Sequence, residues 1–260
     1  TGRDALKKHL PFLKEKLSPD VVIVNGENAA AGHGITLKLA QEILGWGIDC
    51  LTTGNHAWRQ RELLSTIDQE PRLLRPLNFP EGTPGKGFFL HTLQDGRTLL
   101  IVNLMTTVFM DLVLDNPFPA IDRFLESYSL GSNIDAVFID FHGEATSEKM
   151  ALAQFLDGRI SALIGTHTHV PTADMQVLPC GTAFQADAGM CGDFDSVLGM
   201  SKEAAIWRFT KKTPGPRLEP TQGEATLCGS FIVTNDQTGL AESIEAVRLG
   251  GRLQPTLPTS

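Results

Sequence analysis

Apolar positions along the chain fall into two rhythms that alternate, one of helical and one of strand spacing. Residues 3–17 carry apolar side chains at helical intervals, with Pro11 set to kink or split the helix they predict. Asp20-Val21-Val22-Ile23-Val24-Asn25 is a β-branched run of strand length ending in GENAAAGHG. Thr36 is placed to cap a helix reaching about Trp46, with Gly47 as its stop. Residues 48–53 predict a second strand, ending in GNHAW, and residues 98–105 a third, with Asn103 near its end. A fourth, over 134–139, runs into DFHGEATSEK and a helix to about Leu156. In that helix GEATSEK offers a Thr/Ser-to-Glu capping pattern. A fifth strand, over 160–164, runs into GTHTHVPTAD. Beyond Asp174 the pattern changes to strand pairs, 176–178 with 183–185 and 225–235 with 240–247, the latter joined by DQTG at 236–239. A helix over 201–209 lies between them, and residues 71–87 form a Pro/Gly-rich loop. Strands alternating with helices predict a layered α/β fold, with residues 1–260 as one domain.

The polar residues sit at the strand ends, where open α/β sheets bind their ligands. Those ends carry Glu27 and Asn28, Asn55 and His56, Asp140 and His142, then His167 and His169. Only seven histidines occur in the chain, and four of them lie there. In an extended backbone, residues two apart point to one side, so GTHTH aims both imidazoles the same way. Each piece alone has a bland reading: a turn histidine, a loop cap, a packed Trp58 in GNHAW. Four strand ends that all supply carboxylate, amide oxygen or imidazole point instead to a metal site. One ion rarely takes more than four protein ligands, so at least six candidates imply two ions sharing a carboxylate. Mixed N and O donors suit Mn, Fe or Zn rather than Ca or Mg. The absence of Cys from these clusters argues against structural zinc or an iron–sulfur centre.

Composition narrows the partners. A net charge of −8 argues against an extended nucleic-acid-binding face but not against a small anionic substrate held by metal. Four cysteines lie far apart without a CxxC pair, as expected of reduced thiols in a cytoplasmic protein, with Cys50 in the core. No apolar run approaches the ~20 residues that span a bilayer, so no membrane association is expected. A homo-oligomer is compatible with the sequence, which does not set the subunit number.

The order NGEN, GNH, FH, GTHTH resembles the calcineurin-like metallophosphoesterases. The resemblance is closer to their YmdB-like branch. It is carried by NGENAAAGHG, GNHAW, RPLNFPEGTPGKG, NLMTTVFM, DFHGEATSEK, GTHTHVPTAD and DAGMCGDFDSVLGM, across essentially the whole chain. The resemblance implies a four-layer α/β/β/α sandwich of the metallo-dependent phosphatase type. It also implies a dinuclear site holding two divalent transition-metal ions, Fe or Mn before Zn. Glu27 would bridge them, with Asn28 and His169 on the first ion and Asn55, His142 and His167 on the second. His56 would be the general acid beside a hydroxide bridging the ions. The implied substrates are small cyclic nucleotides such as 2′,3′-cyclic AMP. A phosphomonoesterase or nuclease on the same site, or a nucleotide-sensing regulatory protein with little turnover, are the alternatives. The family also carries an aspartate ligand in a GDxxG segment after a first strand. The chain opens TGRDALKKHL, just past that segment, so this ligand and its strand are expected to be missing here.

Further residues are assigned on weaker patterns. Arg75 and Asn78, in the Pro/Gly loop, are candidates for contacting phosphate or ribose. Glu144 is read as a carboxylate orienting His142. His33 reads as a surface loop histidine. Phe109, Met110 and Phe118 read as core or pocket wall. Asp187, Asp193 and Asp195 are assigned to turns in a Gly-rich loop, with a cleft rim as the alternative.

Overall fold

A computed structural model describes residues 1–259. Its main sheet has six strands in the order β3-β4-β5-β6-β8-β7. These are β3 (Phe88–Thr92), β4 (Thr98–Met105), β5 (Ala136–His142), β6 (Ala162–Thr166), β7 (Gln176–Val177) and β8 (Ala183–Gln185). The central strands β4, β5, β6 and β8 run parallel, and β3 and β7 pair antiparallel at the two edges. Two smaller ladders flank this sheet. β1 (Ile23–Asn25) pairs in parallel with β2 (Cys50–Thr52), and β9 (Leu227–Thr234) pairs antiparallel with β10 (Ala241–Leu249). The fold is therefore mixed α/β around a central mixed sheet.

The helices are α1 (Gly2–Leu17), α2 (Leu37–Leu44), α3 (Leu63–Thr66), α4 (Pro117–Leu125), α5 (Thr146–Leu156) and α6 (Lys202–Thr210). α2 starts as expected: Thr36 is extended and its hydroxyl accepts the Leu39 N–H at 3.1 Å. α1 is not split at Pro11 but runs unbroken through it, burying Ala5, Leu6, Leu10 and Leu13 along one stripe. The expected capping box of α5 does not form. Ala145 holds the cap position without a side-chain bond, and Glu148 instead accepts the backbone N–H groups of Thr107 and Val108. β3, α3 and α4 lie outside the elements the sequence pattern predicts, although Asn116-Pro117 is a start signal: the Asn116 side chain accepts the Phe118 N–H at 3.0 Å.

Two apolar cores hold the layers. One packs α4 and α5 on the main sheet through Leu104, Ile121, Phe141, Leu152 and Leu156. The other packs α1 and α2 against β2, β9 and β10 through Leu10, Ile43, Leu51, Leu227 and Val247. Between the ladders lies a cavity of about 1050 Å³, lined by Val22, Val24, Phe138 and Phe231, with Asn25, Asp140 and Thr166 among its polar residues. Among the described residues no helix is long and apolar enough to cross a membrane.

Candidate metal centre

β5 runs three residues and β6 two residues further than their apolar runs predict, and this brings the polar side chains together. Register pairs His142 with Thr166 across β5 and β6, and Asp140 with Ile164. Asp140, His142 and Thr166 thus share one face of the sheet. The Thr166 hydroxyl donates to Asp140 Oδ1 at 2.6 Å, and His142 Nδ1 lies 2.9 Å from the same hydroxyl. A hydroxyl has one proton, so the Thr166 oxygen accepts from His142 Nδ1–H. Asp140 also accepts from Asn25 Nδ2 at 2.9 Å and from the Thr52 hydroxyl, tying β1, β2 and β6 to β5. Gly54 leaves room for this arrangement, since a Cβ there would collide with the His142 ring.

His142 Nε2 faces Glu27 Oε2 at 2.8 Å, Asn55 Oδ1 at 2.9 Å and His167 Nδ1 at 3.0 Å. The ligating atoms of Glu27, His142 and His167 all lie within 4.8 Å of one another. A proton on Nε2 can serve one of those neighbours at a time, whereas a cation can be shared by all of them. This donor set, one carboxylate, one amide oxygen and two imidazoles, fits a divalent transition metal. Beside it, Asn28 Nδ2 meets His169 Nε2 at 3.1 Å. The buried His169 Nδ1 has no hydrogen-bond partner among the described residues. The six residues thus fall into two neighbouring sets.

Electrostatics follow from burial and from this packing. Burial pushes the Glu27 carboxyl up, but His142 and the His56 N–H (2.8 Å) outweigh it and hold the group down at about 2. Burial works against a charged His142, yet Glu27 raises its pKa above the ordinary value. His167 is pushed down to about 4 by burial and by the neighbouring His142. Burial raises Asp140 despite its three donors. His56 is lowered, chiefly by burial.

GTHTH is not extended. β6 stops at Thr166, and His167 (φ 107°) and His169 (φ 69°) both take left-handed backbone conformations. Such residues store about 1–3 kcal/mol of strain each and persist where surrounding contacts fix them. Both histidines reach one cavity from this turn and not by strand alternation. His56, Glu27, Asn28, His167 and His169 line one cavity of about 270 Å³. Arg59 Nε donates to His56 Nδ1 at 3.3 Å, and the His33 ring lies 5.4 Å from the His56 ring.

Other assignments fall elsewhere. Glu144 Oε2 approaches His167 Nε2 at 3.3 Å, so it orients His167, while His142 is oriented by Thr166. Asn78 is buried and spends its amide on Met105 and on the Asp115 carbonyl. The Arg75 guanidinium is spent on the carbonyls of Pro76, Leu77, Thr83 and Pro84. Both brace the Pro/Gly loop and lie outside the cluster. Phe109 is neither core nor wall but 82% exposed. Asp187 is buried, and besides its turn bond to Gly189 N–H it meets Lys149 Nζ. Lys149, Asp187 and Thr166 were missed as supporting residues. Lys149 had a signal: it lies at helical spacing from Leu152, Ala153 and Leu156, a charge on an apolar stripe.

Strand ends that gather carboxylate, amide and imidazole on one point define a layered α/β protein with a candidate metal centre at the carboxyl edge of its sheet. Comparison with known proteins sharpens this: the chain belongs to the YmdB-like protein family, whose pattern matches residues 1–247. It is 45% identical over 246 residues to a 2′,3′-cyclic-nucleotide 2′-phosphodiesterase of Bacillus subtilis, covering 95% of this chain and 91% of that protein. A crystal structure of a hypothetical protein from Thermus thermophilus superposes with a TM-score of 0.87 at 41% identity, covering 96% and 94% of the two chains. That of a novel phosphatase from Mycoplasma pneumoniae superposes at 0.88 with 34% identity, covering 96% and 89%.

Proposed function

We propose that this chain is a metal-dependent phosphodiesterase acting on small cyclic nucleotides such as 2′,3′-cyclic AMP, built as a single four-layer α/β/β/α domain. The observation that carries the reading is the convergence of Glu27 Oε2, Asn55 Oδ1 and His167 Nδ1 on His142 Nε2. Similarity to a cyclic-nucleotide phosphodiesterase and to a phosphatase supports the substrate class. Glu27, Asn55, His142 and His167 would hold one ion, and Asn28 and His169, sharing Glu27, a second. When bound, such ions supply positive charge to phosphoryl oxygens and lower the pKa of water.

His56 is assigned to the departing oxygen. A guanidinium has no acceptor, so Arg59 Nε–H must meet a lone pair on His56 Nδ1, and the neutral ring carries its proton on Nε2. Hydrolysis places a hydroxyl on phosphorus, breaks the P–O2′ bond and puts a proton on the 2′ oxygen. With Arg59 drawn off Nδ1 the ring can take up a second proton. As an imidazolium His56 supplies the leaving-group proton from Nε2, is left neutral, and regains a proton from the water consumed.

The test is hydrolysis by the Mn²⁺-loaded protein. Bis-p-nitrophenyl phosphate is expected to be cleaved faster than the monoester, and 2′,3′-cyclic AMP to give the 3′-nucleotide. His56→Ala is expected to lower turnover about 10²–10⁴-fold, the range of general acid–base catalysis, with Mn²⁺ affinity kept. An unchanged rate overturns the His56 role. Tight nucleotide binding without turnover replaces the enzyme by a sensor.

A further inference from the structure

The strained turn that presents His167 and His169 is braced from beneath by a pair of charges outside the ligand set. Lys149, on α5, is 1% exposed, and its Nζ donates to the Thr166 carbonyl at 2.8 Å. It lies 3.4 Å from Asp187 Oδ2. That same carboxylate oxygen accepts the Thr168 N–H at 2.7 Å, while Oδ1 accepts the Gly189 N–H at 2.9 Å. The peptide unit before His167 is therefore held by the lysine and the one after it by the aspartate. Fixing both flanking planes fixes φ and ψ of the residue between them. One step on, the His169 carbonyl accepts Met190 N–H at 3.0 Å, from the loop that Asp187 opens. Gly165 admits the lysine stem: a Cβ there would sit 3.0 Å from Lys149 Cδ and would collide with the Ala186 carbonyl.

A lysine buried in this way needs a reason, because an ammonium beside a cation site opposes cation binding unless it is neutralised. Asp187 neutralises it, and together the two groups spend their charge on the backbone that carries the histidines. We infer that Lys149 and Asp187 are positioning residues for metal binding, a buried ionic latch that holds the left-handed His167 turn in its ligating form. The inference rests on the metal reading of the site.

The test compares Mn²⁺ affinity by titration calorimetry, and the visible spectrum of the Co²⁺-loaded protein, in the wild type and in Lys149→Met/Asp187→Asn. The double substitution removes both charges, so it strands no buried ion and leaves the net charge around the site unchanged. It is expected to weaken Mn²⁺ binding about 10- to 100-fold, as loss of groups that orient ligands does, and to alter the Co²⁺ bands. Leu152→Ala, on the same helix but packed in the apolar core, is expected to lower the melting temperature with Mn²⁺ affinity unchanged. In the wild type, without any substitution, the Thr168 amide is expected to exchange slowly with solvent. Wild-type Mn²⁺ affinity and Co²⁺ bands in the double variant overturn the latch. So does equal loss of affinity in Leu152→Ala, or a freely exchanging Thr168 amide. A wild type that binds no divalent ion overturns the metal reading itself and is told apart by that result.

Discussion

Replacing Thr166 with valine isolates one hydroxyl. Valine is a β-branched near-isostere that keeps the strand, and the Thr166 carbonyl stays bonded to Lys149. What disappears is the link from Asp140 Oδ1 (2.6 Å) to His142 Nδ1 (2.9 Å). Losing a hydrogen bond to a charged group removes about 1.5–3 kcal/mol, and a buried His142 Nδ1–H left without an acceptor adds about 1–3 kcal/mol. Asp140 keeps Asn25 and Thr52, so the stability loss should fall toward the lower end of that sum. The ligand effect is separate. His142 loses the partner that sets its ring angle and leaves Nε2 as the free lone pair. Affinity for Mn²⁺ should drop about 10- to 100-fold, which is about 1.4–2.7 kcal/mol. The assay is calorimetric titration with Mn²⁺, paired with urea unfolding of the metal-free protein. Thr166→Ser keeps the hydroxyl and should restore most of the affinity. Valine binding Mn²⁺ within twofold of wild type, or serine failing as badly as valine, refutes the reasoning.

Metal should stabilise the fold, because its ligands are gathered only in the native state. Mn²⁺ at about 100 times its dissociation constant adds about 2.7 kcal/mol, or about 5–10 °C in melting temperature for a chain of this size. Calorimetric scans with Mn²⁺ and with EDTA that coincide would contradict this. Glu27→Gln should abolish Mn²⁺ binding while the fold persists, since the amide oxygen can still accept the His56 N–H; retained stoichiometry by metal analysis refutes it. Gly165→Ala should destabilise by about 1–3 kcal/mol or more, the cost of overpacking, because its Cβ meets the Ala186 backbone. Denaturant midpoints within error of wild type would show that the backbone yields there.

The parallel strands were legible because β4, β5 and β6 are nearly continuous apolar runs between recognisable breaks, as doubly covered strands must be. Their ends were not, because hydrophobic pattern stops where function begins. The ladder from Ile139 through Phe141 and His142 is held by backbone bonds and by the Asp140 network, to which apolar periodicity is blind. The identities Glu27, Asn55, His142 and His167 were visible as types that bind cations, and the structure brings them within 3.0 Å of one atom. Their presentation was not visible: the turn with two left-handed histidines is contacted by α5 and by the loop at Asp187, neither adjacent in sequence. Arg75 and Asn78 illustrate the opposite error. A polar residue in a Pro/Gly loop suggests a ligand contact, but a long loop without regular structure must satisfy its own carbonyls and amides first, and these two side chains do that.

Glu27 shows how the pieces depend on one another. Its two oxygens are committed in different directions: Oε1 accepts the His56 backbone N–H, and Oε2 faces His142 Nε2. The first bond ties the loop after β1 to the loop after β2, and the second ties both to the end of β5. Because the His56 backbone, not its ring, completes this frame, the imidazole can be removed without loosening Glu27. Because Asn55 precedes His56 in the same turn, the group assigned to the departing oxygen and a group assigned to the cation move as one unit. A carboxylate at this point therefore does two jobs at once, tying three strand ends together and placing negative charge where one amide oxygen and two imidazoles meet.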